Sequence, residues 1–292
     1  MKVVITIPAF NEEKTLPEVL KELKEVMSKT EYDYEVLVLD DGSNDKTVEV
    51  ARKKGATVVS NRRNMGLAYT FQREIKECLR LEADIIVHTD ADGQYPAEYI
   101  PKMIETVEGG QDLVLGSRFI NKKYSGSWLK NIGNRIFAKV ISSLTKVKIT
   151  DSTTGFRAFT REIAEEIVFI NSFTYTQEQI IRAAKQRFKI AEVPIHTRET
   201  RESRLFKSPL QYAIKAWINI LRIYRDYEPL AFFGRIGLLF MGLGVLLGIL
   251  IIVTLIETGG VGGIPRVILC GLFLTAGIQI LLYGFLADML KR

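Results

Sequence analysis

The chain has 292 residues, 47% of them hydrophobic and 25% charged, with a formal net charge of +6. This length allows one large folded domain plus a smaller segment. Most of the positive excess lies between Arg198 and Arg225, directly before two apolar runs, which favours anionic lipid headgroups or an anionic lipid substrate as a partner. Nucleic acid is not expected as a partner, because the chain contains no nucleic-acid-binding motif.

Short β-branched runs alternate with amphipathic helical patterns over the N-terminal two thirds of the chain. The predicted strands cover residues 3–7, 35–40, 56–60, 84–90 and 112–116, and the predicted helices cover residues 13–28, 45–54, 66–81 and 96–107. This alternation indicates an α/β, Rossmann-like fold with a mostly parallel sheet and helices on both faces. Ligands of such sheets bind beyond the carboxyl ends of the strands, so the loops after the strands are the candidate binding loops.

The first candidate loop, residues 8–13, reads PAFNEE. Pro8 is expected to end the strand, and Asn11 and Glu12 to begin a helix. The loop is ambiguous by itself, because acidic residues are also favoured at an ordinary helix N-terminus by the helix dipole.

The second candidate loop, residues 40–47, reads DDGSNDKT. Ser43 or Asp45 is suited to cap the next helix. Capping leaves the adjacent carboxylates of Asp40 and Asp41 unexplained, because they repel each other. A carboxylate here can accept hydrogen bonds from the N–H groups of a nucleobase or from ribose hydroxyls, and both interpretations can hold together.

The third candidate loop contains Asp90, Ala91, Asp92, Gly93 and Gln94. Its oxygen ligands converge beside a small residue, and hard divalent cations such as Mg²⁺ bridge one or two carboxylates to substrate phosphates. A solvated turn is the alternative. No glycine-rich phosphate loop of the Walker or dinucleotide-binding type competes for the phosphates, so the sequence predicts a cation that binds a diphosphate.

Two further segments are predicted to be interfacial helices at headgroup level, residues 128–144 and 208–227. Their apolar and basic residues alternate, and Trp128, Tyr212, Trp217 and Tyr224 suit the membrane interface. Ordinary surface helices of a soluble domain are the alternative.

Several single residues have two possible roles. Glu178 is either a carboxylate on a helix surface or a group above the site that acts as a general base or orients the acceptor. Asp151 and Arg157 are candidates for a structural ion pair. His88 is expected to be a packed core residue. Cys78 and Cys270 are not expected to form a disulfide.

Two charge-free apolar runs, residues 236–256 and 267–287, are each long enough to cross a bilayer. A pair of buried core helices is the alternative. The short glycine-rich connection makes them a hairpin, and the flanking Lys and Arg residues place the large domain in the cytoplasm of a multi-pass membrane protein. No signal peptide is predicted, because the apolar run before Pro8 is too short. The predicted organisation is a domain over residues 1–205, an interfacial helix and linker over 206–235, and the hairpin over 236–292.

Five motifs in this order carry a resemblance to a known family: PAFNEE, DDGSNDKT, DADGQ, GSRF at residues 116–119 and DSTTGFRAF at residues 151–159. Together they resemble the family 2 inverting glycosyltransferases, in the branch of dolichol-phosphate mannose synthase and the polyprenyl-phosphate glucosyltransferases. The resemblance covers about residues 1–205 and implies a GT-A-type fold, a nucleotide-sugar donor and Mg²⁺ or Mn²⁺.

The resemblance also implies roles for individual residues. Nucleotide-sugar binding falls to Pro8, Phe10, Glu12, Asp41, Asp90, Ala91, Asp92 and Gln94, of which Asp90, Asp92 and Gln94 hold the metal. The catalytic groups would be Asp92, Arg118 and Arg198. The acceptor phosphate would meet Arg118, Arg198 and Arg204, with Lys130 or Arg135 as a further basic contact. The chain departs from the family pattern at Arg201 and Arg204, where glycine and lysine are common.

The leading hypothesis is transfer of mannose or glucose from GDP-mannose or UDP-glucose to dolichyl or polyprenyl phosphate in a lipid bilayer. A lipid monophosphate has a second pKa of about 6 and is mostly ionised at neutral pH, so it needs arginines rather than a general base. Transfer to a lipid or glycan hydroxyl, with Glu178 as base, is the second hypothesis. A non-catalytic membrane module that binds nucleotide-sugar is the third. Whether the hairpin anchors, oligomerises or presents lipid stays open.

Overall fold

The computed structural model describes residues 1–120, 128–167, 175–198, 214, 218 and 221–290, with the side chains of 128–132 excepted. The chain divides into two compact units, Met1–Ala213 and Ile214–Arg292. Arg204 and most of the predicted interfacial helix 208–227 lie outside the described residues. Residues 221–227 of that segment are helical, as expected.

The first unit contains a seven-stranded sheet in the order β3-β2-β1-β4-β6-β5-β7. Its strands are β1 (Lys2–Ala9), β2 (Asp33–Asp40), β3 (Thr57–Ser60), β4 (Ile85–His88), β5 (Leu113–Ser117), β6 (Arg157–Thr160) and β7 (Ile190–Pro194). Strand β6 runs antiparallel to β4 and β5, and the other pairings are parallel. The predicted mostly parallel α/β sheet is therefore confirmed, with one antiparallel strand that the alternation pattern did not predict.

The helices of this unit are α1 (Leu16–Met27), α2 (Thr47–Lys53), α3 (Leu67–Arg80), α4 (Ile100–Glu108), α5 (Trp128–Thr145), α6 (Arg161–Glu166) and α7 (Tyr175–Lys185), with a 3₁₀ turn at Ala97–Tyr99. Helix α1 illustrates why they form. Leu16, Leu20, Leu23 and Met27 recur on one face and are fully buried, which is the spacing of an amphipathic helix packed on a sheet.

The strand directions bring the candidate loops to one edge of the sheet. The adjacent parallel strands β2, β1 and β4 place the loops after Asp40, Ala9 and His88 side by side. Because β6 is antiparallel to both β4 and β5, strands β5 and β7 point the same way as β4. The segments after Ser117 and Pro194, and the segment before Arg157, therefore lie at this same edge.

The second unit contains two long apolar helices, Pro229–Thr258 and Ile264–Met289. Both are long and apolar enough to cross a membrane, and only 11% of the most apolar window of each is buried. At about 1.5 Å per residue each exceeds the roughly 30 Å of a hydrocarbon core. The buried-core alternative is therefore wrong for this unit, because a soluble core helix is mostly buried.

Glycines allow these two helices to approach closely. A Cβ atom on Gly277 would lie 2.8 Å from the Gly237 carbonyl oxygen and 2.5 Å from Met241 Cγ. The Cys270 thiol donates to the Gly244 carbonyl oxygen at 3.2 Å. Small residues thus replace side-chain bulk at the helix crossing, as is common between membrane helices.

Candidate active site

The loops after β1 and β2 are joined by hydrogen bonds. Asn11, with φ of 54°, donates its backbone N–H to Ser43 Oγ at 2.9 Å and accepts from the Asn44 N–H at 2.9 Å. The Glu12 N–H donates to Thr47 Oγ1 at 2.8 Å. Ser43 therefore binds the first loop and not its own helix. Strand β1 also continues through Pro8 to Ala9, so the prediction that Pro8 ends the strand is wrong by one residue.

Asp40 and Asp41 avoid repulsion by using separate sets of donors. Asp40 Oδ1 accepts from the Ser43 N–H at 2.9 Å and closes the turn. Asp41 accepts from Asn61 Nδ2 at 2.7 Å and from the backbone N–H groups of Met65 and Gly66 at 2.8 and 2.9 Å. Three of its roughly four lone-pair sites are thus used.

The nucleoside role of Asp41 stays a prediction, and the structure adds residues 61–66 to its surroundings. This segment follows β3, the edge strand of the sheet, and its Asn61 is buried. Sequence reasoning missed Asn61, although a polar residue directly after a strand is the signal by which the other loops were found.

The Asp90–Gln94 loop begins two residues after β4 and is partly buried, with Ala91 as its buried residue. A Cβ atom on Gly155 would lie 3.1 Å from Asp90 Oδ1, so a larger residue there would push the carboxylate aside by a few tenths of an ångström. Asp92 Oδ1 accepts from the Gln94 N–H at 2.9 Å. The loop is thus an ordered turn with one carboxylate in a confined position.

Burial raises the pKa of the Asp90 carboxyl to about 6. Protonated His88 and Arg118 oppose this increase, whereas the carboxylates of Asp92 and Glu74 add to it. A carboxyl held this way gains most from a cation that replaces its lost hydration.

The oxygen atoms of this loop fit a hard divalent cation that is coordinated partly by the protein and partly by a substrate. Asp90 and Asp92 supply carboxylate oxygens and Gln94 an amide oxygen, which are the ligand types of Mg²⁺ and Mn²⁺. In the described part of the chain, no cluster of three or more His, Cys, Asp or Glu side chains is arranged as a complete metal site.

His88 is a packed core residue, as expected, but it has a charged neighbour. Its Nδ1 donates to the Gly155 carbonyl oxygen at 2.8 Å, and its Nε2 lies 3.3 Å from Glu74 Oε2, with both side chains fully buried. Burial lowers the pKa of His88, but the Glu74 carboxylate, Asp90 and the Gly155 carbonyl together outweigh it, so the pKa is raised. The His88 bond helps to hold Gly155 beside Asp90.

Arg118 follows β5 and forms a fork with Asp151. Arg118 Nε and Nη2 donate to the two carboxylate oxygens at 2.6 and 2.9 Å, and Nη2 also donates to Thr153 Oγ1 at 2.8 Å. Glu192 of β7 accepts from the backbone N–H groups of Thr150 and Asp151 at 2.8 and 3.0 Å. The Arg118 guanidinium is therefore fixed at the edge where the loops meet.

The predicted ion pair between Asp151 and Arg157 is wrong. Arg157 is fully buried and donates to Gln179 Oε1 at 2.7 Å and to the carbonyl oxygens of Thr176 and Thr154. Arg157 lies in β6, and its side chain is directed to the start of α7. Proximity in the sequence therefore misassigned the partner of Asp151.

Glu178 is not on a helix surface, so that alternative is also wrong. Its side chain is 1% exposed and accepts from Arg182 Nε at 2.9 Å, one turn along α7. Helix α7 is covered on most sides, and a period-based argument cannot identify an exposed face on such a helix.

Arg198 reaches the Asp90–Gln94 loop through its backbone. Its N–H donates to the Gln94 carbonyl oxygen at 3.0 Å, while its guanidinium donates to Glu22 Oε2 and Oε1 at 2.6 and 2.9 Å. Arg135 is exposed on α5. The side chain of Lys130 and the whole of Arg204 lie outside the described residues. The catalytic and phosphate-binding roles of these residues stay predictions.

Known proteins are similar to this chain in sequence and in fold. Residues 4–168 match the family described as Glycosyl transferase family 2. A dolichyl-phosphate hexose transferase of Haloferax volcanii is 33% identical over 195 residues, which are 67% of this chain and 82% of that protein. A bactoprenol glucosyl transferase of Shigella phage SfV is 27% identical over 300 residues, covering 100% of this chain and 94% of that protein.

A solved structure supports the fold. Glucosyl-3-phosphoglycerate synthase of Mycobacterium tuberculosis, in complex with Mn²⁺, UDP and phosphoglyceric acid, superposes with a TM-score of 0.60 at 22% identity, over 76% of this chain and 77% of that one. At this identity the likeness concerns the fold alone, and it confirms the expected GT-A-type architecture.

Proposed function

The chain belongs to glycosyl transferase family 2, and from this premise we propose that it transfers mannose or glucose from a nucleoside-diphosphate sugar to dolichyl or polyprenyl phosphate, with inversion. The observation that carries the choice of acceptor is the bactoprenol glucosyl transferase relative. It aligns along the whole chain, including both apolar helices. The Haloferax relative, named for a dolichyl-phosphate acceptor, supports the same choice.

On the donor side, Asp90, Asp92 and Gln94 would hold Mg²⁺ or Mn²⁺ together with the donor diphosphate. A cation bound there supplies positive charge to the departing nucleoside diphosphate. The M. tuberculosis protein of the same fold contains Mn²⁺ and UDP. Asp41, Pro8, Phe10 and Glu12 enclose the nucleoside of GDP-mannose or UDP-glucose.

On the acceptor side, arginines position the lipid phosphate, which is already ionised and attacks the anomeric carbon directly. The fork between Arg118 and Asp151 sets the direction of the Arg118 guanidinium before substrate arrives. The Arg198 backbone N–H binds the Gln94 carbonyl oxygen, which would place Arg198 near donor phosphates bound at that loop. Lys130 or Arg135, and Arg204, complete the basic surroundings.

The position of Glu178 argues against a hydroxyl acceptor. A general base must reach the proton that it removes, whereas Glu178 is buried and paired with Arg182. The non-catalytic alternative would use the Asp90–Gln94 loop for donor binding but would give the arginines of the acceptor side no role.

The two apolar helices span the membrane in this proposal, and the large domain lies in the cytoplasm. Arg222, Arg225 and Arg235 precede the first helix core and Lys291 and Arg292 follow the second, which is the positive-inside pattern. The proposed organisation is residues 1–205 for transfer, 206–235 for interfacial contact and 236–292 for the hairpin.

One experiment tests the function against both alternatives. Purified full-length protein in detergent receives labelled GDP-mannose or UDP-glucose, Mn²⁺, and either a polyprenyl phosphate or the polyprenol of equal chain length. Label in the lipid phase with the phosphate alone is expected. Transfer to the polyprenol alone supports a hydroxyl acceptor, and no transfer with any donor supports a binding module.

Two variants make this assay specific to the site. Asp92→Ala is expected to abolish transfer. Asp33→Ala removes an exposed carboxylate at the opposite end of β2 and is expected to retain wild-type transfer. Equal transfer by both variants would contradict the assignment of the Asp90–Gln94 loop.

A further inference from the structure

Glu22 connects three parts of the first unit, although it lies in no motif. It projects from the middle of α1 and accepts from Arg198 Nη1 and Nη2 at 2.6 and 2.9 Å. Its Oε1 also accepts from the Ala97 N–H at 3.0 Å. The hydrogen bonds from Arg198 lower the pKa of Glu22, which is therefore ionised at neutral pH.

The two segments that Glu22 joins both adjoin the candidate site. Ala97 begins the 3₁₀ turn shortly after Gln94, and Arg198 follows β7. They are also joined directly, because the Arg198 N–H donates to the Gln94 carbonyl oxygen at 3.0 Å, and the His196 N–H donates to Tyr99 Oη at 3.3 Å. The Asp90–Gln94 loop and the start of the segment after β7 thus form one bonded group.

The Arg198 fork leaves N–H donors for a second anion. A guanidinium has five N–H donors in one plane, and Glu22 takes one from each of the two terminal nitrogens. A phosphate can therefore bind along another edge without displacing Glu22. The Glu22 carboxylate and the phosphate therefore need not compete, because they can use different N–H donors of Arg198.

We propose that Glu22 is a positioning residue that holds the Arg198 guanidinium in the orientation in which it meets substrate phosphate. The Arg198 side chain is 52% exposed, and a long exposed side chain otherwise samples many rotamers. Glu22 restricts these rotamers. Because Glu22 is also bonded to the Ala97 N–H, it fixes the position of the guanidinium relative to the Asp90–Gln94 loop. This inference rests on the proposed function, because it assigns Arg198 to phosphate.

A double-mutant cycle tests the proposal. Glu22→Ala is expected to lower kcat/KM about tenfold, the scale of one oriented charge-assisted contact. In the Arg198→Ala background the same change is expected to have less than a twofold effect, because Glu22 then has no guanidinium to position. An equal loss in both backgrounds, or no loss in either, would overturn the proposal.

Two further variants separate positioning from folding. Glu22→Gln keeps an oxygen for the Ala97 N–H and for one Arg198 donor, and is expected to recover most of the lost activity. Glu18→Ala removes an exposed carboxylate one turn earlier on α1 that pairs only loosely with Lys21, at 3.9 Å, and is expected to match the wild type. A loss in Glu18→Ala equal to that in Glu22→Ala would assign the effect to α1 as a whole.

Failure of the proposed function gives a different result. In that case the wild type transfers no hexose to polyprenyl phosphate. The cycle is then measured on the affinity for Mn²⁺ with GDP-mannose or UDP-glucose by calorimetry. Additive effects of Glu22→Ala and Arg198→Ala on that affinity would overturn the positioning role by themselves.

Discussion

Donor binding is expected to weaken about tenfold when the pH falls from 7 to 5, because protons compete with the metal for Asp90. Burial raises the pKa of this carboxyl to about 6. With that pKa, the ionised fraction is about 0.9 at pH 7 and about 0.1 at pH 5. Metal ligation needs the ionised form. A carboxyl with the ordinary pKa of about 3.9 would stay more than about 90% ionised at both values and would give almost no change.

The measurement is calorimetric titration with Mn²⁺ and a nucleoside-diphosphate sugar, without acceptor, at several pH values. The sugar ester of a diphosphate has no terminal phosphate that titrates in this range, so the ligand charge stays constant. At pH 5 each binding event is also expected to release about 0.9 proton, because that fraction of Asp90 is then protonated before binding. Heats measured in buffers of different ionisation enthalpy report this release.

His88 is a second titratable group beside Asp90, with a pKa that the Glu74 carboxylate helps to raise. The carboxylates of Asp92 and Glu74 and the Arg118 guanidinium also act on Asp90. The same titration on His88→Gln, checked for folding by circular dichroism, separates the two groups. Retained pH dependence assigns it to Asp90. A change of less than twofold between pH 7 and 5 in the wild type would refute the reasoning.

Three further results are expected. Asp90→Asn should stabilise the metal-free protein at pH 7 by about 1–3 kcal/mol in denaturant unfolding. The raised pKa of the Asp90 carboxyl favours folding below pH values of about 4, and this contribution to stability is lost as the pH rises through about 6. Asparagine does not ionise and therefore avoids that loss. Arg118→Ala should destabilise the fold by about 3–5 kcal/mol, because the fully buried Asp151 carboxylate loses its charged partner. Adding Asp151→Asn should restore stability, and no restoration would contradict this cause. Gly277→Ala should lower the thermal stability of the hairpin in detergent by the equivalent of about 1–3 kcal/mol through overpacking. The control Gly271→Ala should be neutral, because a Cβ atom there meets nothing within 4 Å. Equal effects of the two variants would be inconsistent with the close helix crossing.

Local patterns were sufficient to predict most elements of the fold. Each predicted strand and helix of the first half exists within a few residues of its expected bounds, because period and turn chemistry depend on neighbours in the chain. The same reasoning located the binding loops, since a parallel sheet collects the ends of its strands at one edge. It also identified both apolar helices.

Side-chain partners were not predictable in the same way. Asp151 pairs with Arg118 and not with Arg157, and Glu178 is buried and not exposed. Strand β6 enters between β4 and β5 in the opposite direction, and this pairing brings residues 151–156 to the edge where Arg118 emerges. Such contacts join residues far apart in the chain, so no local period encodes them.

The sequence by itself determined the family, the α/β alternation, the acidic loops and the apolar hairpin, because each is written in contiguous residues. Only the tertiary structure decided which charges meet. The raised pKa of Asp90 depends on burial of its carboxyl beside Gly155, and the fork between Glu22 and Arg198 depends on α1 lying beside the segment that follows β7. Burial and charge pairing depend on the three-dimensional structure, because electrostatic energy is set by distance and hydration and not by position along the chain.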